Sequence, residues 1–103
     1  MSLPVTDWVL CLEVGEHIPS NMEGMVIRNL HAHNCRGILL SWGGLGQHGL
    51  NHVNLHDREY LVGIFTELGY IFDEEENEEF RQSLEGTWFS DTIMILRRAN
   101  PIC

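Results

Sequence analysis

The sequence is short of basic residues, and this limits its possible partners. Six Lys and Arg residues face fifteen Asp and Glu residues, which gives a formal net charge of −9 over 103 residues. A chain this acidic repels phosphate backbones and anionic lipid surfaces. We therefore expect neither nucleic acid nor a membrane surface to be a partner of this segment.

Long apolar runs and a basic leader are also missing. The apolar runs are far shorter than the ~20 residues that a membrane-spanning helix needs. The N-terminus, MSLPVTDWV, has no basic residue of the kind that opens a signal peptide. We therefore expect a soluble, cytoplasmic protein. Because 44% of its residues are hydrophobic and 20% are charged, we expect one small folded domain with a core.

The three cysteines do not have metal-type spacing. Cys11 and Cys35 lie in apolar runs, which favours buried thiols, since free cysteine packs as a small hydrophobic residue. The third, Cys103, is the last residue. An odd number of cysteines without a signal peptide is typical of a reducing compartment.

A glycine-rich nucleotide motif is absent near the N-terminus. No GxGxxG or GxGxG follows a predicted strand there. The glycines at 43–46 do follow a predicted strand, but a histidine-rich stretch comes after them and not a helix, so they are a weak nucleotide-binding motif. The acidic run at 73–79 predicts a solvated helix N-terminus, stabilised by the helix dipole.

The apolar pattern predicts strands that alternate with helices. Strands are predicted at 7–14, 37–42, 70–72 and 92–96, and helices at 21–33, between Asp57 and Gly69, and in a short segment that Gly86 ends. This alternation is typical of an α/β fold with helices flanking a sheet. Apolar residues on both faces of 7–14 predict a parallel strand covered on both sides. The short polar connection at 73–90 favours an antiparallel last strand.

The densest polar cluster follows the first strand and consists of Glu13, Glu16 and His17. Ligands of α/β sheets bind at the carboxyl ends of the strands, where this cluster is expected to lie. The carboxylates and the imidazole could bind a hard cation, or Glu16 or His17 could act as a general base. Alternatively, Glu16 caps the next segment and His17 lies on the surface.

A second cluster, His48, His52 and His56, lies in the glycine-rich stretch 43–56. We predict a loop there, on the carboxyl side of the second strand. One of these histidines could add a ligand to the first cluster; the alternative is an ordinary polar loop. Loops of this length are uncommon in compact domains unless they are functional.

The segment DWVLCLEVGEHIP, at 7–19, resembles the fourth strand and following loop of class I S-adenosylmethionine-dependent methyltransferases of the small-molecule E-x-x-E-H type. Three further elements follow in the same order as in this family. They are a strand ending in Ser41 and Trp42, the motif G-Q-x-G-x-x-H-V-N at 46–54 and the closing strand TIMIL at 92–96. The resemblance covers essentially the whole chain.

The resemblance implies a partial Rossmann-like methyltransferase sheet flanked by helices. In the family the strand order is 3-2-1-4-5-7-6 with strand 7 antiparallel, and residues 1–103 would supply strands 4-5-7-6 as the C-terminal half of the domain. The family's glycine-rich motif and its ribose-binding acidic residue belong to strands 1 and 2 and have no counterpart here.

The resemblance also implies site residues. Leu12 and Glu13 would lie near the methionine end of S-adenosylmethionine, and Glu16 and His17 would be catalytic. A divalent metal, as in some O-methyltransferases of the family, would be bound by Glu13, Glu16 and His17, with His52 as the fourth ligand and His48 as the second choice.

Two functions remain open. The first is methyl transfer from S-adenosylmethionine to oxygen or nitrogen of a small molecule, by a chain that is inactive when isolated. The second is a non-catalytic, truncated methyltransferase-like binding module. In both cases the first strand would have an open edge, where a second copy or a partner could pair.

Overall fold

The computed structural model describes residues 5–12, 17–42, 58–87 and 90–103. Strands and helices alternate along these residues. The strands are β1 (Thr6–Leu12), β2 (Asn34–Ser41), β3 (Tyr70–Ile71) and β4 (Ile93–Arg98), and the helices are α1 (Glu23–Ala32), preceded by a 3-10 turn at Ser20–Met22, α2 (Arg58–Glu67) and α3 (Glu74–Ser83). Every predicted strand and helix is present, and the bounds shift by a few residues at most.

The four strands form one mixed, open sheet in the order β1-β2-β4-β3. β1 runs parallel to β2, whereas β4 runs antiparallel to β2 and to β3. The prediction of an α/β fold with an antiparallel last strand is confirmed. The observed order is also the one expected from the resemblance, although membership of the Rossmann-like class stays a prediction.

The main core lies between one face of the sheet and the helices α1 and α2. Successive side chains of a strand point to opposite faces, so alternate residues of β2 and β4 point toward these helices. The core residues are Ile38, Leu40, Met94 and Leu96 from the sheet, and Ile27, Leu30, Leu61 and Phe65 from the helices. Gly69, with φ of +98°, follows α2 in the left-handed conformation that glycine tolerates best.

The expectation that the first strand is covered on both sides is wrong. β1 is an edge strand, paired with β2 alone among the residues that the structure describes, and none of its residues is fully buried. Val9 and Cys11 pack against the core, but Leu10 on the other face is 65% exposed. The apolar pattern of a strand shows which faces could be buried, but covering them requires other segments.

A buried polar network joins four elements at the amino end of β2. Asn34 Nδ2 donates to Leu30 O at 2.8 Å, which satisfies a carbonyl at the end of α1, and to the Tyr70 hydroxyl at 2.7 Å. Arg98 Nε donates to Asn34 Oδ1 at 3.0 Å, and the Tyr70 hydroxyl lies 2.9 Å from His31 Nδ1. These bonds hold the end of α1 to β2, β3 and β4.

The prediction that Cys35 is a thiol is wrong. Cys35 is buried, as expected, but it forms a disulfide with Cys103, with a Cα–Cα distance of 5.6 Å. The C-terminal segment returns to β2, where Ile102 N donates to Cys35 O at 3.1 Å. Cys11 is half-buried and forms no disulfide. The two bonded residues are 68 positions apart, and no local sequence pattern predicts a disulfide between such distant residues.

Helices of membrane-spanning length and hydrophobicity are not found in the part of the chain that the structure describes.

Candidate functional site

The carboxyl ends of β1 and β2 lie side by side. Leu12 ends β1 and is the register partner of Ser41, which ends β2. On the other side, Ser41 is the partner of Ile93 at the start of β4, and the Ser41 and Thr92 hydroxyl oxygens are 3.0 Å apart. This row defines the carboxyl edge of the sheet, where ligands of α/β folds bind.

Part of the predicted site lies within the described residues. Leu12 is half-buried at the end of β1, and His17 is exposed in the turn that leads to α1. Glu13, Glu16, His48 and His52 lie outside the described residues. The structure therefore places the strand end and the start of the next element as expected, while the convergence of the four proposed metal ligands stays a prediction.

A polar cavity of about 630 Å³ lies near the start of β4. Its lining comes from the first residue of α2, the last turns of α3, the turn that follows α3 and the segment before β4: Arg58, Glu78, Arg81, Gln82, Glu85, Ser90 and Asp91. Glu78, Arg81 and Gln82 share one face of α3 because residues three and four apart are neighbours on a helix. Since β4 begins beside the end of β2, Asp91 belongs to the carboxyl edge.

The two arginines of the cavity are only partly satisfied. Arg58 Nη2 donates to Asp91 O at 2.9 Å, and Arg81 Nη2 pairs with Glu78 Oε2 at 2.9 Å. However, Arg58 Nε and Arg81 Nη1 are buried and have no acceptor among the residues that the structure describes. Buried donors normally have partners, so each unpaired one needs an explanation.

The charges of the cavity act on each other. Burial, and next the positive charge of Arg81, lower the pKa of Arg58. The hydrogen bond from Arg81 lowers the pKa of Glu78. The lining carries the two guanidinium groups together with three carboxylates, those of Glu78, Glu85 and Asp91, so charges of both signs lie at this cavity.

Sequence reasoning missed this cavity. Arg58 and Arg81 lie on different helices, and their spacing follows no motif. The acidic run beside Arg81 predicts only a solvated helix, and the Glu78–Arg81 spacing is that of an ordinary surface ion pair. Only the packing of α2 and α3 against the start of β4 brings the residues together.

A third group of potential ligand atoms lies at the disulfide. The ligand atoms of Asp7, Cys35 and Cys103 lie within 4.8 Å of one another. Cysteine binds metals as the thiolate. Because both sulfurs are joined in the disulfide, this group is not a metal site in this structure.

No protein-family model, curated protein or solved structure matches the chain. Its function must therefore be inferred from its own residues, namely the topology of the sheet, the motif that follows β1 and the polar groups at the carboxyl edge.

Proposed function

We propose that the chain is the C-terminal half of an S-adenosylmethionine-dependent methyltransferase domain, which in complete form methylates oxygen or nitrogen of a small molecule. The observation that supports this most is the sheet. The order β1-β2-β4-β3, with β4 antiparallel, has the order and directions of strands 4, 5, 7 and 6 of class I methyltransferases. The motif E-x-x-E-H, at 13–17, then follows the strand that corresponds to strand 4.

The residues after β1 would handle the cofactor and the acceptor. S-adenosylmethionine supplies the electrophilic methyl group. Leu12, half-buried at the carboxyl edge, and Glu13 would lie beside its methionine end, and Glu16 or His17 would orient the acceptor and remove its proton. Catalysis would depend mainly on holding donor and acceptor in line.

A divalent cation is the second proposed component. Glu13, Glu16, His17 and His52 offer the carboxylate and imidazole ligands that such ions bind. The described member of this set, His17, is exposed. A bound cation would lower the pKa of an acceptor hydroxyl and orient it.

The alternative, a non-catalytic interaction module, is favoured by the open edge of β1. Unpaired strand edges with apolar side chains invite pairing with another strand. Among the described residues β1 has this character, since it pairs with β2 alone and one of its faces carries the exposed Leu10. A second copy or a partner that supplies the missing neighbour would cover this edge.

We also propose a cytoplasmic location, and the disulfide provides its test. In a reducing compartment Cys35 and Cys103 would be thiols. Thiol trapping in intact cells should then label both residues. A disulfide that survives trapping would contradict the cytoplasmic location.

Isothermal titration with S-adenosylmethionine tests the proposed function. We expect saturable binding that is weaker than micromolar, because the family's glycine-rich motif has no counterpart in the sequence. Glu13→Ala should weaken it, whereas the matched control Glu79→Ala, exposed on α3, should not. Micromolar affinity would exclude the non-catalytic alternative. No saturable heat at millimolar cofactor would contradict the methyltransferase proposal.

A further inference from the structure

Three residues of the kind that binds metals come together at the amino end of β1 and β2. Asp7 lies in β1, Cys35 lies in β2, and Cys103 lies in the C-terminal segment that returns to β2. Their ligand atoms lie within 4.8 Å of one another. In the disulfide the two sulfurs cannot bind a cation as thiolates, but reduction would restore both thiols at this place. The ligand set is therefore complete only in the reduced protein.

The pairing of β1 with β2 is irregular where these residues meet. The register shifts there, so that two residues of β2, Cys35 and Arg36, lie opposite Asp7 alone, as in a β-bulge. Bulges are frequent next to functional sites, because the extra residue changes the direction of a side chain. Asp7 Oδ1 lies 3.8 Å from Cys103 Sγ, and Asp7 forms no ion pair with the residues that the structure describes. Its carboxylate thus lies beside the sulfur without a cationic partner in this part of the chain.

We propose that the reduced protein binds one Zn²⁺ ion through Cys35, Cys103 and Asp7. Zn²⁺ accepts thiolate and carboxylate ligands together, whereas Ca²⁺ and Mg²⁺ take oxygen ligands. Tetrahedral zinc, with bonds of ~2.3 Å to sulfur and ~2.0 Å to oxygen, keeps neighbouring ligand atoms ~3.5–3.8 Å apart. The distance of 3.8 Å between Asp7 Oδ1 and Cys103 Sγ already fits this spacing. The inference does not depend on the proposed methyltransferase function.

The two sulfurs must move apart before zinc can enter. They are ~2.0 Å apart in a disulfide and ~3.8 Å apart in a tetrahedral zinc site. Cys35 is buried in β2, whereas Cys103 is exposed, as are all residues of the segment 99–103. A shift of Cys103 can therefore supply the movement while β2 stays in place.

Zinc binding would follow a reduction and release protons. Two molecules of a thiol reductant break the S–S bond, two protein thiols form, and the reductant is oxidised to its own disulfide. Zinc then replaces the two thiol protons, which pass to water. In a reducing compartment, zinc would hold the C-terminal segment to β2 in place of the disulfide.

Zinc binding by the oxidised and the reduced chain tests the proposal. The whole chain is reduced with a phosphine, which is then removed without oxygen, and zinc is titrated in competition with a chromophoric chelator. We expect reduction to add one bound equivalent of zinc, and Co²⁺ to show thiolate-to-metal charge-transfer absorption in the reduced chain alone. Zinc bound by the polar residues after β1 is common to both states and cancels in the difference. No additional equivalent after reduction would overturn the proposal.

Variants locate the ligands, and all are compared in the reduced state, where none has the disulfide. Cys103→Ser should lose the additional equivalent, and Asp7→Asn should weaken its affinity by about tenfold or more, since even the loss of a residue that orients a ligand costs that much. The matched controls Cys11→Ser and Asp91→Asn should bind as the wild type does. If reduction unfolds the chain, zinc should refold the wild type and not Cys103→Ser, as measured by circular dichroism. Wild-type affinity in Cys103→Ser or in Asp7→Asn would overturn the three-ligand site.

Discussion

The side chain of Asn77, on α3, pairs with the backbone of Ile95 as a strand residue would. Ile95 N donates to Asn77 Oδ1 at 2.7 Å, and Asn77 Nδ2 donates to Ile95 O at 3.2 Å. β3 is only two residues long and pairs with Arg97 and Arg98. Beyond the end of β3, the Asn77 carboxamide forms the hydrogen bonds to Ile95 that a neighbouring strand would form. A helix can therefore flank the sheet here without leaving these buried backbone groups unpaired.

We predict that Asn77→Ala lowers the free energy of unfolding by about 2–3 kcal/mol, since it leaves both backbone groups of Ile95 without partners in a buried position. Urea denaturation measures the change. The control Asn29→Ala, at an exposed position of α1, should change stability by about 0.5 kcal/mol or less. Equal effects of the two substitutions would show that the carboxamide does not replace a strand.

Gly37 allows an aromatic ring to cross β2. A Cβ at this position would lie 2.5 Å from Leu96 O and 2.5 Å from the Trp8 ring. The ring reaches Arg97, whose guanidinium carbon is 5.1 Å from its centroid, and Arg97 pairs with Glu76 at 2.7 Å. A missing side chain on β2 thus lets β1 contact β4 and, through Glu76, α3.

Gly37→Ala should therefore destabilise the protein by about 2 kcal/mol or more, as overpacking does. Gly63→Ala is the matched control, since a Cβ there meets nothing within 4 Å on the exposed face of α2. That change should stabilise by about 0.5–1 kcal/mol because alanine favours the helix. Thermal unfolding of both variants checks the prediction, and an equally stable Gly37→Ala would contradict the packing.

His31 should make stability depend on pH. Burial, and next the charge of Arg98, lower the pKa of His31 from its ordinary value of 6.5. Nδ1 must remain unprotonated to accept from the Tyr70 hydroxyl. Below pH 6.5 the unfolded chain takes up a proton that the folded chain resists, so the free energy of unfolding falls as the pH falls.

The comparison of His31→Gln with His33→Gln tests this dependence. The glutamine oxygen at position 31 can still accept a hydrogen bond but does not titrate. His31→Gln should lose less stability than the wild type between neutral pH and pH 5, measured by urea titration, whereas His33→Gln should follow the wild type. Parallel curves for all three proteins would contradict the role of His31.

The Cys35–Cys103 disulfide should contribute strongly to stability. It joins residues 68 positions apart, and cross-linking a loop of that length stabilises by roughly 4 kcal/mol in the chain-entropy account. Reduction, or Cys103→Ser, should lower the urea midpoint, while Cys11→Ser should leave the effect of reductant unchanged. Three reactive thiols in the unreduced, denatured protein would show that the bond is not formed.

Much of the fold could be predicted because local patterns determine it. Apolar runs locate the strands, and Gly69 ends α2 where the sequence places it, since glycine accepts its positive φ. The antiparallel β4 followed from the short connection at 73–90. The open edge of β1 was expected from the resemblance, but the exposure of Leu10 was not, because the apolar pattern of a strand does not show which segments cover its faces.

The candidate site could be predicted only in part. The positions of Leu12, at the end of β1, and of His17, after it, could be predicted because the end of a strand is visible in the sequence, whereas their role in a site stays a prediction. Arg58 and Arg81 meet through the packing of two helices, and Cys103 meets Cys35 through the return of the C-terminal segment. Such contacts between distant segments leave no periodic signal in the sequence.

We propose that S-adenosylmethionine binds at the carboxyl edge, beside Leu12 and His17. An NMR titration with S-adenosylmethionine tests this binding site. We expect saturable shifts in the backbone signals of Leu12 and His17, while those of Asn34 and Arg98, at the opposite edge of the sheet, remain fixed. Shifts confined to the opposite edge, or no shifts at millimolar cofactor, would show that the cofactor does not bind there.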